Sequence, residues 1–357
     1  MPKSYYNFSR ILSHNAVLNF VPGARGLGKT FGSKKIAIND ALRNGAQFIY
    51  VRRYTEDLDE ARRLFFDDIA YLWPKWEFMT TKSGAFATPR IKQGAKESDP
   101  AFAKRLKARV WQQIGFFITL STAQRYKSTP FPKVKWIIVD EFILEKGAIR
   151  YLPGEADILL NFYNTVDRYA DRVRVLLLAN AVSINNPYFL KWKIRPSKGN
   201  IIQLIGKDDT GLPFIAVDFP EAQQFQNEVM ETRFGKFIAG TDYASYAVGN
   251  IFADNGENLI KGKDSEAQYV FTLETPTSMF SVWLIRRPGQ PTEYYMQARQ
   301  PAVMKLFTTV PDKMDTDRVF LADNDVMLNI LRGAYRQAMC WFDSPETRNA
   351  FIDIFIR

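Results

Sequence analysis

The amino-acid sequence predicts an α/β domain on a mostly parallel sheet, followed by a smaller α+β domain, and three observations predict it. Through the first 200 residues, short and nearly all-apolar runs alternate with helical segments, as happens when helices cover both faces of a parallel sheet. Beyond residue 233 the texture changes to strands joined by short Pro/Gly turns. Charge divides in the same way: residues 1–200 carry 33 Lys/Arg against 17 Asp/Glu, and residues 201–357 carry 15 against 21. A basic half joined to a mildly acidic half argues for two domains with different partners. The expected domains are 1–200 and 234–357, joined by a linker, 201–233, that contains a helix.

The elements follow in order. Residues 16–21 form a short apolar strand ending at a Gly-rich turn, and a helix opens near Lys29 and runs to about Arg43. Residues 47–51 are a second strand; 58–73 read as helical, stopped by Pro74. Residues 77–91 form a hairpin insertion around Ser83-Gly84. Strands at 114–120, 136–139 and 173–178 bring the sheet to five strands or more. The run Asp208-Asp209-Thr210-Gly211 with Pro213 breaks this pattern, and 220–233 reads as a polar connecting helix with Pro at its start. In the second domain 268–273, 279–286 and 292–297 form an antiparallel meander. Residues 326–341 then carry Leu328, Leu331, Tyr335 and Met339 at helical spacing, and 347–356 closes the chain.

Composition excludes several classes. With 357 residues, 46% of them hydrophobic, and 28 Phe, 16 Tyr and 7 Trp, the chain is neither disordered nor of low complexity. One cysteine (Cys340) and one histidine (His14) rule out an internal disulfide framework and a Cys/His zinc site, and no nucleophile elbow accompanies His14. No apolar run reaches the ~18 residues of a membrane span, and the start carries no signal-peptide h-region, so a reducing cytosol is the expected compartment. Between Arg90 and Lys135 eleven basic residues face only Glu97 and Asp99, with Trp111, Phe116 and Phe117 nearby. This segment reads either as a solvated helix face with core aromatics or as a polyanion-binding surface.

The chemistry-bearing residues begin with Gly23-Ala24-Arg25-Gly26-Leu27-Gly28-Lys29-Thr30, which fits G-x-x-x-x-G-K-[ST] in full and lies between a predicted strand and a predicted helix. Glycines there let backbone N–H groups close around phosphate oxygens at a helix N-terminus. Lys29 would reach the β and γ phosphates of ATP, and the Thr30 hydroxyl would ligate Mg²⁺. The strand at 136–139 ends in Asp140-Glu141, where ligands bind in open α/β sheets. Asp140 would hold Mg²⁺, and Glu141 would act as general base on the attacking water. Two strands intervene in sequence between the P-loop strand and this one, which points to the additional-strand, catalytic-glutamate type of P-loop NTPase. Asn180, at the tip of the next strand, suits sensing of the γ-phosphate or orienting the water; a polar loop cap would look the same.

At this point the sequence resembles a known family. The strings from Phe20 to Lys29, Gln47 to Tyr54 and Val139 to Ile143, with Asn180-Ala181-Val182-Ser183 and Asn186-Pro187-Tyr188-Phe189, are similar to those of the genome-packaging ATPases of small tailed phages with protein-primed replication, the Picovirinae type. The likeness covers most of 1–195 and thins in the second domain, where Thr232-Arg233-Phe234-Gly235 and Gly240-Thr241 still fit. The resemblance implies a homo-oligomeric ring of five subunits in the host cytoplasm. It would sit at the portal vertex of a procapsid, drive double-stranded DNA inward with ATP, and be held by a packaging RNA, with no membrane involved. It also implies that a neighbouring subunit donates basic residues to the nucleotide, which align with Arg168 and Lys127. Read from the residues alone, Arg168, Arg172 and Arg174 equally describe a basic helix face. The second domain of the family resembles an RNase H-like nuclease that has lost its metal-binding acids, and here only Glu274 stands near the end of the first meander strand. Two other functions remain open: a terminase-type motor whose second domain still cuts DNA, and a P-loop nucleic-acid-binding module that uses ATP only for assembly. The long basic insertion at 92–109 departs from the family pattern.

Overall fold

Each apolar run of the first half becomes a buried strand. The computed structural model describes residues 5–82, 84–144, 151–180, 186–194, 201–220, 223–239, 259–275, 278–301, 305–337, 339–352 and 354. The chain divides into a first unit, 1–253, and a second, 254–357. In order, the first unit contains α1 (Ser9–Leu12), β1 (Leu18–Gly23), α2 (Lys29–Asn44), β2 (Gln47–Arg52), α3 (Thr55–Arg63), β3 (Trp76–Thr80), β4 (Ala85–Pro89) and α4 (Asp99–Lys107). It continues with β5 (Gln112–Thr119), β6 (Val134–Asp140), α5 (Glu155–Asp167), β7 (Arg174–Asn180), α6 (Pro187–Trp192), β8 (Ile202–Lys207), β9 (Pro213–Asp218), α7 (Gln223–Met230) and α8 (Arg233–Ile238).

Nine strands form one sheet in the order β3-β4-β5-β2-β6-β7-β1-β9-β8. The six from β5 to β9 run parallel, and β3, β4 and β8 pair antiparallel at the margins. Side chains alternate between two cores. Ile137, Val139, Val175, Leu177 and Phe20 face α5 and α6, while Ile138, Leu176, Leu178 and Val21 face α2 and α3. Burial on both faces is why these strands lack polar alternation. The strand β7 separates β6 from β1, so the Asp140 strand does not neighbour the P-loop strand.

The linker expectation is corrected. Residues 202–218 pair as β8 and β9 and extend the sheet beside β1. Asp208 accepts from the backbone N–H groups of Thr210 and Leu212, so the presumed break is the hairpin turn between them. Phe225 on α7 packs against Ala24 and Leu27 of the Gly-rich loop, so that helix belongs to the first unit, which ends at 253 rather than 200. Residues Ser83, 181–183, 221–222 and 240–241, which figure in the sequence reading, lie outside the described residues.

In the second unit β10 (Gln268–Glu274), β11 (Met279–Ile285) and β12 (Glu293–Gln297) form the expected antiparallel meander. Further strands β13 (Leu306–Thr308), β14 (Arg318–Phe320) and β15 (Cys340–Phe342) complete a six-stranded sheet ordered β14-β13-β10-β11-β12-β15. The helices α9 (Val326–Arg336) and α10 (Pro345–Ile352) cover it, and Leu328, Leu331 and Phe351 close the core over Phe271, Phe280 and Phe342.

Candidate active site

The Gly-rich loop joins the buried end of β1 to the start of α2. Gly26 (φ 81°) and Gly28 (φ 75°) adopt left-handed backbone that other residues take only at a cost. A Cβ at Gly28 would also lie 2.5 Å from the Tyr5 ring. The segment bearing that ring is fixed: Tyr6 donates its backbone N–H to Leu27 O (2.9 Å) and its hydroxyl to Asp218 Oδ2 (2.8 Å). Arg10 pairs with the same carboxylate at 3.2 Å.

Lys29 is buried, and its Nζ donates to the carbonyls of Gly23 (3.0 Å) and Ala24 (2.7 Å). Burial lowers its amine to about 8 from the ordinary lysine value, with Asp140 opposing the shift. Thr30 Oγ1 donates to Asp140 Oδ1 (3.1 Å) and lies 3.3 Å from Oδ2. The Tyr50 hydroxyl, held protonated by burial and by Asp140, donates to Asp140 Oδ2 at 2.6 Å. Arg52 bridges both acids, with Nη1 3.6 Å from Asp140 Oδ2 and Nη2 2.9 Å from Glu141 Oε2.

The next arginine holds the backbone. Arg53 makes a bidentate pair with fully buried Glu155, both contacts at 2.7 Å, and donates to the carbonyls of Glu141 (3.3 Å) and Phe142 (3.0 Å). Glu155 also accepts from Leu152 N and from the Tyr188 hydroxyl, each at 2.8 Å. This network anchors a strained point, because Glu141 sits at φ 61°. Arg52 ends β2 and reaches the acids, and Arg53, in the bend that follows, reaches Glu155 on α5.

A cleft of about 340 Å³ is lined by Gly26, Leu27, Gly28, Lys29, Thr30, Asp140, Glu141 and Asn180, with Tyr5, Phe31, Asp68, Tyr71 and Ala179 completing its wall. Gly23, Ala24 and Arg25 lie outside that lining; Gly23 pairs across the sheet with Asn180. Arg168 and Lys127 are exposed and do not line the cleft. Arg168 caps α5, before the start of β7, at the sheet edge opposite the P-loop. The helix-face reading of 168–174 is corrected, because Arg168, Tyr169 and Asp171 have φ of 54°, 60° and 49° and Arg174 begins a strand. Buried Asp167 holds this turn by accepting from the N–H groups of Asp171, Arg172 and Val173 at 2.9–3.0 Å. Sequence reasoning assigned no roles to Tyr50, Arg52, Arg53, Glu155 and Tyr188; two adjacent arginines at the end of an otherwise apolar strand were the available signal.

In the second unit Glu274 is held by Lys313 (2.7 Å) and Arg318 (3.8 Å). Among the described residues no group of three or more His, Cys, Asp or Glu is placed to hold a metal, and no helix is long and apolar enough to cross a membrane.

A Gly-rich loop opening a helix, and an Asp-Glu strand end one strand removed from it, define a P-loop nucleotide-binding domain of the additional-strand class. Comparison with known proteins makes the assignment specific. The model of the Podovirus DNA encapsidation protein (Gp16) family matches residues 1–94 and 103–357, and the chain belongs to that family. It is 30% identical to the DNA packaging protein of Bacillus phage phi29 over 358 residues, covering 99% of this chain and 98% of that protein. The solved bacteriophage phi29 viral genome packaging motor assembly is similar over 99% of this chain and 100% of its own, with TM-score 0.65 and 29% identity. The N-terminal domain of the DNA packaging ATPase from phi29 matches 62% of this chain and 98% of its own at 34% identity, with TM-score 0.50. Residues 95–102, inside the basic insertion, fall outside the family match.

Proposed function

We propose that this protein is a motor subunit that hydrolyses ATP to translocate double-stranded DNA into a viral procapsid. One observation carries the reading: Lys29, Thr30, Asp140 and Glu141 converge in a single cleft, in a chain whose relatives are DNA packaging proteins. The loop from Gly23 to Thr30, whose Gly26–Thr30 part lines the cleft, would cradle the phosphates of ATP, and the Lys29 ammonium would serve the β and γ groups. The Thr30 hydroxyl and the Asp140 carboxylate, 3.1 Å apart, are the hard oxygen donors that Mg²⁺ prefers, and they would hold it. Held there, Mg²⁺ would supply neutralisation of charge on the phosphoryl oxygens. Glu141 takes the proton of the attacking water, Asn180 orients that water, and Arg52 positions the two carboxylates by pairing with both.

Arg168 and Lys127 act on the cleft of the next protomer, which their exposed placement away from their own cleft supports. The protein acts as a ring of five copies at the portal, engaged with the connector and a packaging RNA in the host cytoplasm, a reading that membership of the DNA encapsidation family supports. The second unit does not cut DNA: the Lys313 and Arg318 cations stand against Glu274, where a nuclease would need a metal. The test is Glu141→Gln. It retains ATP binding and loses turnover by about 10²–10⁴-fold in the presence of procapsids and linear duplex; turnover at the parent rate would overturn the assignment.

A further inference from the structure

Four cations meet at the edge of the first unit's sheet remote from the P-loop. Lys133 and Lys135 lie two residues apart at the start of β6, and Arg172 and Arg174 lie two apart at the start of β7, with Trp136 paired to Arg174 across the strands. Together they wall a notch of about 450 Å³. The acid in its lining, Asp40, already accepts from Trp136 Nε1 (2.7 Å) and Asn44 Nδ2 (2.6 Å).

The charges are unequally compensated. Arg174 pairs with Asp171 at 2.9 Å. The Arg172 guanidinium is fixed by the carbonyls of Val134 and Val166, so its position is set without a carboxylate. Both lysines are exposed, and among the described residues neither side chain has a hydrogen-bond or ion-pair partner. A rigid guanidinium flanked by two free ammonium groups, in a concavity rather than on a convex helix face, suits a chain of phosphates: it gains affinity by displacing condensed counterions and reads no base. The basic helix α4 differs, since Arg105 there is spent on Glu97 at 2.7 Å.

We propose that this notch binds the phosphodiester backbone of a nucleic acid, at a site separate from the nucleotide cleft. Its partner class extends the motor reading above, but its chemistry does not depend on ATP hydrolysis. Full-length protein is titrated into fluorescently labelled DNA duplex and, separately, RNA duplex of the same sequence, by anisotropy over a range of salt. Lys133→Ala/Lys135→Ala is expected to weaken binding evenly across duplex sequences. It should make the log–log salt slope shallower by about 2, one unit for each lost phosphate contact. The duplex on which the slope changes identifies the polymer seated there. Lys104→Ala/Lys107→Ala on α4 is expected to leave the slope unchanged, and binding of a fluorescent ATP analogue is expected to stay at the parent level in both variants. An unchanged slope in the notch variant on both duplexes, or an equal change in the α4 variant, overturns the site. Parent protein that binds neither duplex overturns it together with the DNA partner, while intact ATP binding would leave the nucleotide cleft standing.

Discussion

Glu155→Gln keeps the shape of the side chain and removes its charge, leaving the Arg53 guanidinium buried without a counter-ion. Glu155 is 0% exposed and Arg53 7%, so solvent cannot take over the lost contact. Removing one partner of such a pair costs about 3–5 kcal/mol, a large share of the roughly 5–15 kcal/mol that stabilises an ordinary domain. Tyr188→Phe deletes one hydrogen bond to the same carboxylate and is expected to cost less, about 1.5–3 kcal/mol. The functional consequence is directional. Arg53 holds the carbonyls of Glu141 and Phe142, and Glu141 occupies a backbone conformation worth about 1–3 kcal/mol of strain. Released, the turn relaxes and the Glu141 carboxylate leaves its place, whereas the P-loop is untouched. Urea unfolding of the full chain, with ATP turnover and ATP affinity measured in parallel, should therefore give a large loss of stability and of kcat with affinity retained. The double variant Arg53→Met/Glu155→Met should be more stable than Glu155→Gln, because no orphan charge remains. A Glu155→Gln protein within about 1 kcal/mol of the parent and of equal kcat would refute the anchoring role.

Other outcomes follow from the same geometry. The Lys29 amine sits at about 8 against an ordinary 10.5, so the folded chain binds fewer protons than the unfolded one between those values. Its burden on stability is full below about pH 8 and lifts as pH rises toward 10.5. ATP affinity falls above about pH 8, and binding at pH 9 takes up a proton; equal calorimetric heats in buffers of different ionisation enthalpy would contradict this. Asp167→Asn weakens the cap on the turn that presents Arg168, and should reduce DNA-stimulated turnover without changing ATP affinity. Normal stimulated turnover would show that the turn holds itself. The second unit, incubated as part of the full chain with supercoiled plasmid and Mn²⁺, should leave the plasmid intact; nicking would restore the nuclease reading.

The sequence was most legible where chemistry is local. Gly26 to Thr30, Asp140 and Glu141 lie in short contiguous strings whose strand and helix context is readable from periodicity, and they line one cleft. Strand β9 was obscured because Pro213 reads as a break, although Pro is tolerated as the first residue of a strand. The helix expected over 326–341 stops at Arg336, because 340–342 pairs with β12 and tertiary pairing overrides the local spacing. The segment 58–73 leaves the helix after Arg63 to bury Phe65, Phe66 and Ile69 in the core. The Arg53–Glu155–Tyr188 network spans separations of 102 and 33 residues, and no periodicity encodes which distant charges will meet.

The central claim is that Arg168 of one protomer completes the cleft of the next, and mixing two inactive variants measures it directly. Glu141→Gln lacks its base but keeps its arginine; Arg168→Ala lacks its arginine but keeps its base. Combined on procapsids with linear duplex and ATP, they should recover turnover that neither shows alone, because some clefts then hold an intact Glu141 beside a neighbour's intact Arg168. A mixture as inactive as its separate components, with ATP still bound, would contradict the account.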